Sequence, residues 1–303
     1  MNVQPTSSVE ARISQNVRRI EVRTRRLSDD CFQGGVQSRF RGRGMDFDEL
    51  REYEPGDDVR AIDWNASART GRTFVKKYRE ERQLTVVFVV DMSASGALGA
   101  GEATKREQAV EIAGVLALAA LRSDHRVGLL LYTDAVEKFV PPARGRAHTR
   151  RMVHDLVAFE PKGSGTRLGE ALRTLRKRLH RRAVIVVLSD FLVTSRDAED
   201  TRLELAGLAR KHDVVCIRTG DQHDRELPAV GLLTLEDAET GEVVELDTGS
   251  ARQRAALAKT IRETDERIRT LVRCAGADFL EVDTLQPYLG ALIGFFKSRG
   301  VRS

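Results

Sequence analysis

Asp91, Ser93 and Ser95 alternate with Met92 and Ala94 directly after the apolar run at 84–90, Leu-Thr-Val-Val-Phe-Val-Val. If a buried strand ends there, side chains 91, 93 and 95 turn inward around one point, because alternate residues of extended chain share a face. One carboxylate and two hydroxyls are hard oxygen donors, the kind that hold Mg²⁺ or a similar divalent cation such as Mn²⁺. A second oxygen-rich loop, 162–166, reads Lys-Gly-Ser-Gly-Thr and precedes a helical stretch. Its glycines permit a tight backbone, and Thr166 is placed either to cap that helix or to face the ion. A third apolar run, 184–188, ends in Ser189 and Asp190. The candidate metal ligands are therefore Asp91, Ser93, Ser95, Thr166 and Asp190. Each hydroxyl has an ordinary use as well, since an isolated Ser or Thr most often caps a helix or turn.

Catalytic readings of these residues find less support. A phosphotransferase with Asp at a strand tip needs a second carboxylate two residues on as its acid–base group, and here that place holds Ser93. The glycine-containing stretch 96–101 lacks the Lys and hydroxyl that follow the last glycine of a phosphate loop. Histidines 125, 148, 154, 180, 212 and 223 form no set with metal-ligand spacing. The expectation is a non-catalytic binding module, with a metal-dependent hydrolase of phosphate esters as the alternative.

The elements that must position these loops alternate. Strand-like runs at 84–90, 127–132, 183–189, 213–218 and 277–283 are short and β-branched, as fully buried parallel strands are. Helical stretches fall at 104–122, 147–159, 168–180, 197–211, 251–274 and 286–298. Residues 136–140 suit an edge strand hairpinned to 127–132. Such alternation predicts an α/β fold, a doubly wound and mostly parallel sheet with helices on both faces. Ligands of such sheets gather at the carboxyl ends of the strands, where Asp91 and Asp190 fall. The expected division is 1–83, an Arg-rich helix near 9–27 and an irregular segment packed on the core, then 84–303, the α/β domain. A small β-hairpin insertion near 230–248 turns around Glu239-Thr-Gly241.

The chain has 303 residues, 41% hydrophobic and 31% charged, with a mean hydropathy of −0.35, which allows a sizeable core in a water-exposed protein. No stretch approaches the apolar length of a membrane span. The amino-terminal residues lack a basic region followed by an apolar one, so a cytoplasmic location is expected. The net charge of +5 is scattered among acidic residues, and aromatics make up 5%, too few for nucleic-acid stacking platforms. Cys31, Cys216 and Cys274 are odd in number and far apart, which favours neither a disulfide frame nor a zinc site.

The set Asp91, Ser93, Ser95, Thr166 and Asp190 resembles the metal-ion-dependent adhesion site of von Willebrand factor A domains. The segments 42–47 (Gly-Arg-Gly-Met-Asp-Phe), 50–60 (Leu-Arg-Glu-Tyr-Glu-Pro-Gly-Asp-Asp-Val-Arg), Ile62-Asp-Trp64, Ser189-Asp-Phe191 and Asp237-Ala-Glu-Thr-Gly241 resemble the bacterial domain of unknown function 58 family. The adhesion-site resemblance implies that Ser93, Ser95 and Thr166 bind the ion directly or nearly so, with Asp91 and Asp190 direct or through water. An acidic residue of a protein partner would fill the open position. The family resemblance further implies that this partner is a MoxR-type AAA+ ATPase or its client, in protein assembly or cofactor insertion. Two departures stand out: Gly96 where many relatives have Met, and no amino-terminal membrane span. Within 50–64, alternating charges at Arg51, Asp57, Asp58, Arg60 and Asp63 predict an ion-paired network, and Trp64 is expected to bury there as an anchor.

Overall fold

The computed structural model describes residues 6–24, 46–54, 57, 62–79, 83–97, 103–221, 229–236, 241 and 243–301. The chain forms two compact units, residues 40–83 and residues 1–39 with 84–303.

In the larger unit a first helix, α1 (Thr6–Thr24), precedes the sheet. The sheet strands are β3 (Thr85–Asp91), β4 (Arg126–Tyr132), β5 (Val136–Ala143), β6 (Val184–Ser189), β7 (Asp213–Gly220) and β10 (Asp278–Asp283). Their spatial order is β10-β7-β6-β3-β4-β5. All neighbours are parallel except β5, which returns antiparallel along β4 at the edge. β5 carries Pro141 and Pro142, and Gly128 of β4 leaves the room that Pro142 fills: a Cβ there would lie 2.9 Å from the proline ring. Val86 to Val90 of β3 are fully buried, each such side chain contributing about 1.5–3 kcal/mol by leaving water.

The helices are α3 (Lys105–Arg122), α4 (Arg146–Val157), α5 (Leu168–Arg178), α6 (Ser195–Ala209), α7 (Ala251–Cys274) and α8 (Tyr288–Val301). Helix α3 starts at a capping box, in which Thr104 and Glu107 satisfy each other's backbone N–H. It packs on one sheet face with α1 and α4. Gly114 of α3 lets α1 approach, since a Cβ there would lie 2.8 Å from Ile20 Cδ1. The arginines of α1 have an inward partner: Arg19 (2.6 Å) and Arg23 both pair with the buried Glu111 of α3. Tyr288 of α8 donates to the same carboxylate at 2.6 Å. Helices α5, α6 and α7 cover the other face over Val87, Val89, Leu172, Leu205 and Val272. The α/β reading of alternating elements is thus the architecture, with helices on both faces.

Two further strands, β8 (Leu232–Glu236) and β9 (Val243–Asp247), make a separate two-stranded antiparallel sheet at the predicted hairpin. No helix among the described residues is long and apolar enough to cross a membrane. Cys216 is a core residue, its thiol pushed far up by burial, whereas Cys31 lies outside the described residues.

The smaller unit corrects the expectation of an irregular segment. β1 (Asp46–Glu52) and β2 (Phe74–Arg79) pair antiparallel and flank a short helix, α2 (Trp64–Thr70). Asp63 caps α2 through the N–H groups of Asn65 and Ala66, and Gly71 (φ 73°) ends it in the left-handed conformation. Arg51 meets Asp57 at 2.5 Å, one link of the expected ionic network, while Asp58 and Arg60 lie outside the described residues. Trp64 does not bury: it is 68% exposed, at the first turn of a helix that has no buried residue. A seven-residue helix beside two strands encloses too little volume to bury an indole.

Candidate metal centre

β3 delivers Asp91 to the carboxyl edge of the sheet, between the ends of β4 and β6. Its carboxylate is held from three sides. Oδ1 accepts from the Ser93 N–H (2.9 Å), which turns the chain back on itself after the strand. Oδ2 accepts from the Ser189 hydroxyl (2.7 Å) and the Tyr132 hydroxyl (3.1 Å), at the tips of the two flanking strands. A 3₁₀ turn at Ala94–Ala97 then brings the Ser93 and Ser95 hydroxyls to 3.1 Å of each other. Arg106, in the first turn of α3, donates from Nη2 to the Ser93 carbonyl at 2.5 Å and so ties this turn to the helix.

Thr166, buried, lies in the loop between α4 and α5. That loop is fixed by Glu137 of β5, whose carboxylate accepts from the N–H groups of Lys162 (2.9 Å) and Gly163 (3.0 Å) and from the Thr133 hydroxyl (2.6 Å). These donors hold the Glu137 carboxyl below its usual range against the opposing effect of burial. Gly163 is required by closeness: a Cβ would fall 2.2 Å from Asp134 Oδ1 and 2.5 Å from Thr133 Oγ1. The loop then reaches the first one directly, as Ala94 N–H donates to the Ser164 carbonyl at 2.8 Å.

Asp190 follows β6 and is likewise buried. Its Oδ1 accepts from the Leu192 N–H (3.0 Å), and its carbonyl from Arg218 Nε (3.1 Å). Phe191, next in the chain, sits at φ 58°, in the left-handed region that a bulky residue adopts only when its surroundings impose it. Asp190 Oδ2 is buried with no hydrogen-bond partner among the described residues.

The electrostatics converge on the same point. Burial, then repulsion from Asp190, push the Asp91 carboxyl up to about 6, against the pull of hydrogen bonds from Ser93 and Ser189. Burial and the Asp91 charge raise the Tyr132 phenol well above its ordinary value, so it stays protonated and donates. Two buried carboxylates that repel each other, one with an orphaned oxygen, beside paired hydroxyls, form a donor set that suits a hard cation. Among the described residues no group of three or more His, Cys, Asp and Glu gathers where it could hold a metal ion; the set here has two carboxylates, and its other donors are hydroxyls.

The structure brings Asp91, Ser93 and Ser95 onto one turn, sets Asp190 within electrostatic reach of Asp91, and bonds the Thr166 loop to that turn. The supporting groups Tyr132, Ser189, Glu137 and Arg106 carry no signal in spacing. Tyr132 and Ser189 end strands that neighbour β3, and only the strand order reveals that.

A family model described as "Protein of unknown function DUF58" matches residues 49–267. An uncharacterized protein of Mycobacterium tuberculosis is 32% identical over 95% of this chain and 90% of its own length. An uncharacterized protein of Mycobacterium avium is 32% identical over 52% of this chain and 92% of its own. Among solved structures, the conserved hypothetical protein BatB from Bacteroides thetaiotaomicron aligns with a TM-score of 0.47 at 15% identity, over 73% of this chain and 100% of that one. The SpRpn10 VWA domain aligns with a TM-score of 0.41 at 11% identity, over 71% of this chain and 95% of that one.

Proposed function

The chain belongs to the DUF58 family, and we propose that it is a non-catalytic protein-binding module whose grip is a divalent cation, Mg²⁺ or Mn²⁺, at the carboxyl edge of the sheet. The observation that carries this reading is the orphaned, buried Asp190 Oδ2 beside the Asp91 carboxylate and the Ser93–Ser95 hydroxyl pair. Asp91, Ser93, Ser95, Thr166 and Asp190 would hold the ion, directly or through water. Bound there, the ion supplies a Lewis-acidic position open to one more oxygen ligand. Ser189 and Tyr132 keep the Asp91 carboxylate aimed, and Glu137 keeps the Thr166 loop in place. An acidic side chain of a partner protein fills the open position. The partner read from the signature segments is a MoxR-type AAA+ ATPase or its client.

The alternative, hydrolysis of phosphate esters, needs a base free to act beside the ion. Glu137, the nearby carboxylate of β5, accepts hydrogen bonds from two N–H groups of the loop it supports and from the Thr133 hydroxyl, which argues for a holding role. Calorimetric titration with Mg²⁺ tests the main reading. Wild type should bind, and Asp190→Ala and Asp91→Ala should not; equal binding by both variants would remove the site. Capture of the partner ATPase with and without EDTA tests the second half. A screen of phosphate esters showing turnover that Asp190→Ala abolishes would decide for the hydrolase.

A further inference from the structure

Nine large apolar side chains are conspicuously exposed among the described residues, and four of them fall in one short stretch. They are Val230 (60%), Leu232 (69%), Val243 (58%) and Val244 (53%), all on or beside the β8–β9 hairpin. Single exposed apolar residues are ordinary on a protein surface; a cluster marks a surface that something covers. The register places Leu232 opposite Asp247, Leu233 opposite Leu246 and Thr234 opposite Glu245. By the strand alternation, Leu233, Val244 and Leu246 share one face, while Leu232, Val243, Glu245 and Asp247 share the other. Both faces therefore offer apolar side chains, and one of them mixes these with carboxylates.

The hairpin is not a loose loop. Two isolated strands are marginal in water, so their base must be secured. Thr248, fully buried, donates from Oγ1 to the Gly231 carbonyl (2.7 Å) and accepts there from the Val230 N–H (3.0 Å). Gln253 of α7 accepts from the Asp247 N–H (3.0 Å), and Arg254 donates to the carbonyls of Thr248 (2.5 Å) and Gly249 (3.0 Å). The strands form a sheet of their own, apart from the six-stranded one, so their outer edges have no strand partner among the described residues.

Charge identifies the occupant. Residues 236–247 contain six acids, Glu236, Asp237, Glu239, Glu242, Glu245 and Asp247, and no Lys or Arg, in a chain whose net charge is +5. Two such hairpins would repel each other, and nucleic acid or an anionic membrane would be repelled as well. We propose that the β8–β9 hairpin is a docking surface, separate from the metal centre, for a protein partner that presents an apolar strip flanked by lysine or arginine.

The test is fluorescence anisotropy on the full chain with three labelled peptides: alternating lysine and valine, alternating glutamate and valine, and alternating lysine and serine. The lysine–valine peptide alone should bind. Its affinity should fall about tenfold in the double variant Leu232→Ser/Val244→Ser. It should also weaken severalfold in Glu245→Lys and between about 50 and about 500 mM salt. All three side chains are exposed or point to solvent, so melting temperature and Mg²⁺ titration should not move. Binding of the glutamate–valine or lysine–serine peptide as tight as that of lysine–valine, or binding unchanged in the double variant, would overturn the proposal. Light scattering on the free chain covers the rival occupant. A dimer that the double variant dissolves would assign the hairpin to a second copy instead.

Discussion

Ser189 Oγ donates to Asp91 Oδ2 at 2.7 Å, joining the tips of two adjacent parallel strands through side chains rather than backbone. The same Ser189 oxygen accepts from the Phe191 N–H at 2.9 Å, so a single hydroxyl sets both the aim of Asp91 and the turn that carries Asp190. Replacing it with alanine leaves the sheet but removes one of the three hydrogen bonds that hold the carboxylate. Ser189→Ala should lower Mg²⁺ affinity by about 10–100-fold, as loss of a ligand-orienting partner does, and cost about 1 kcal/mol of stability. Calorimetric titration and urea denaturation measure the two effects separately.

The raised Asp91 pKa gives a pH signature with a definite sign. A folded-state value of about 6 against an ordinary 3.8 means that this group's favourable contribution to metal-free stability is complete below 3.8 and is lost as pH rises through 6. On the proposed reading, proton and cation compete for the same carboxylate. The Mg²⁺-induced rise in melting temperature should thus be full at neutral pH and fade as pH falls below about 6. Asp190→Asn removes the repulsion, and should both stabilise the metal-free protein near neutral pH and abolish the Mg²⁺ response in differential scanning fluorimetry.

Gly163→Ala is a steric test of the loop that carries Thr166. The new methyl would need Asp134 or Thr133 to move, because their oxygens lie 2.2 and 2.5 Å from its position. Overpacking of this kind costs about 1–3 kcal/mol. Denaturant midpoints should show that loss, and Mg²⁺ titration should show weakened binding even though no ligand is altered.

Trp64 is the lone tryptophan of the chain, so its fluorescence reports one site. With 68% of its surface exposed, it should be quenched efficiently by iodide in the native state, with little further change on unfolding. Trp64→Ala should change stability by no more than about 0.5 kcal/mol. A blue-shifted, protected emission would contradict the exposed position.

The histidine that precedes β7, His212, offers an independent acid test. Burial and the neighbouring Lys211 and Arg182 charges lower the His212 pKa from 6.5 to about 4. Its contribution to stability is therefore complete above pH 6.5 and lost as pH falls toward 4. Its imidazole signals in a nuclear magnetic resonance titration should remain those of the neutral ring until about pH 4.

The sheet was legible because its strands are nearly unbroken β-branched runs, and Val184 to Leu188 could be read as little else. The ligand candidates were legible because each stands at the end of such a run or before a helix. Their supports were not: Tyr132, Ser189 and Glu137 meet the site through strand order and register, which residue spacing does not encode. The β1–β2 pair is silent in the sequence for a different reason. Asp46 to Glu52 is mostly charged, and its partner lies beyond an intervening helix, so neither alternation nor a tight turn announces it. Trp64 departs from the expected burial because a small unit offers no room for an indole.

Pro141 and Pro142 have a consequence for how the molecule behaves in company. The outer strand of an open sheet is a template on which another chain can crystallise as an extra strand, and proline, lacking an N–H, removes rungs from that template. β5 thus seals its side of the six-stranded sheet against accidental addition, while the acidic hairpin carries no such seal. The protein guards one border of its largest sheet and, on the proposal above, leaves a two-stranded one open for traffic.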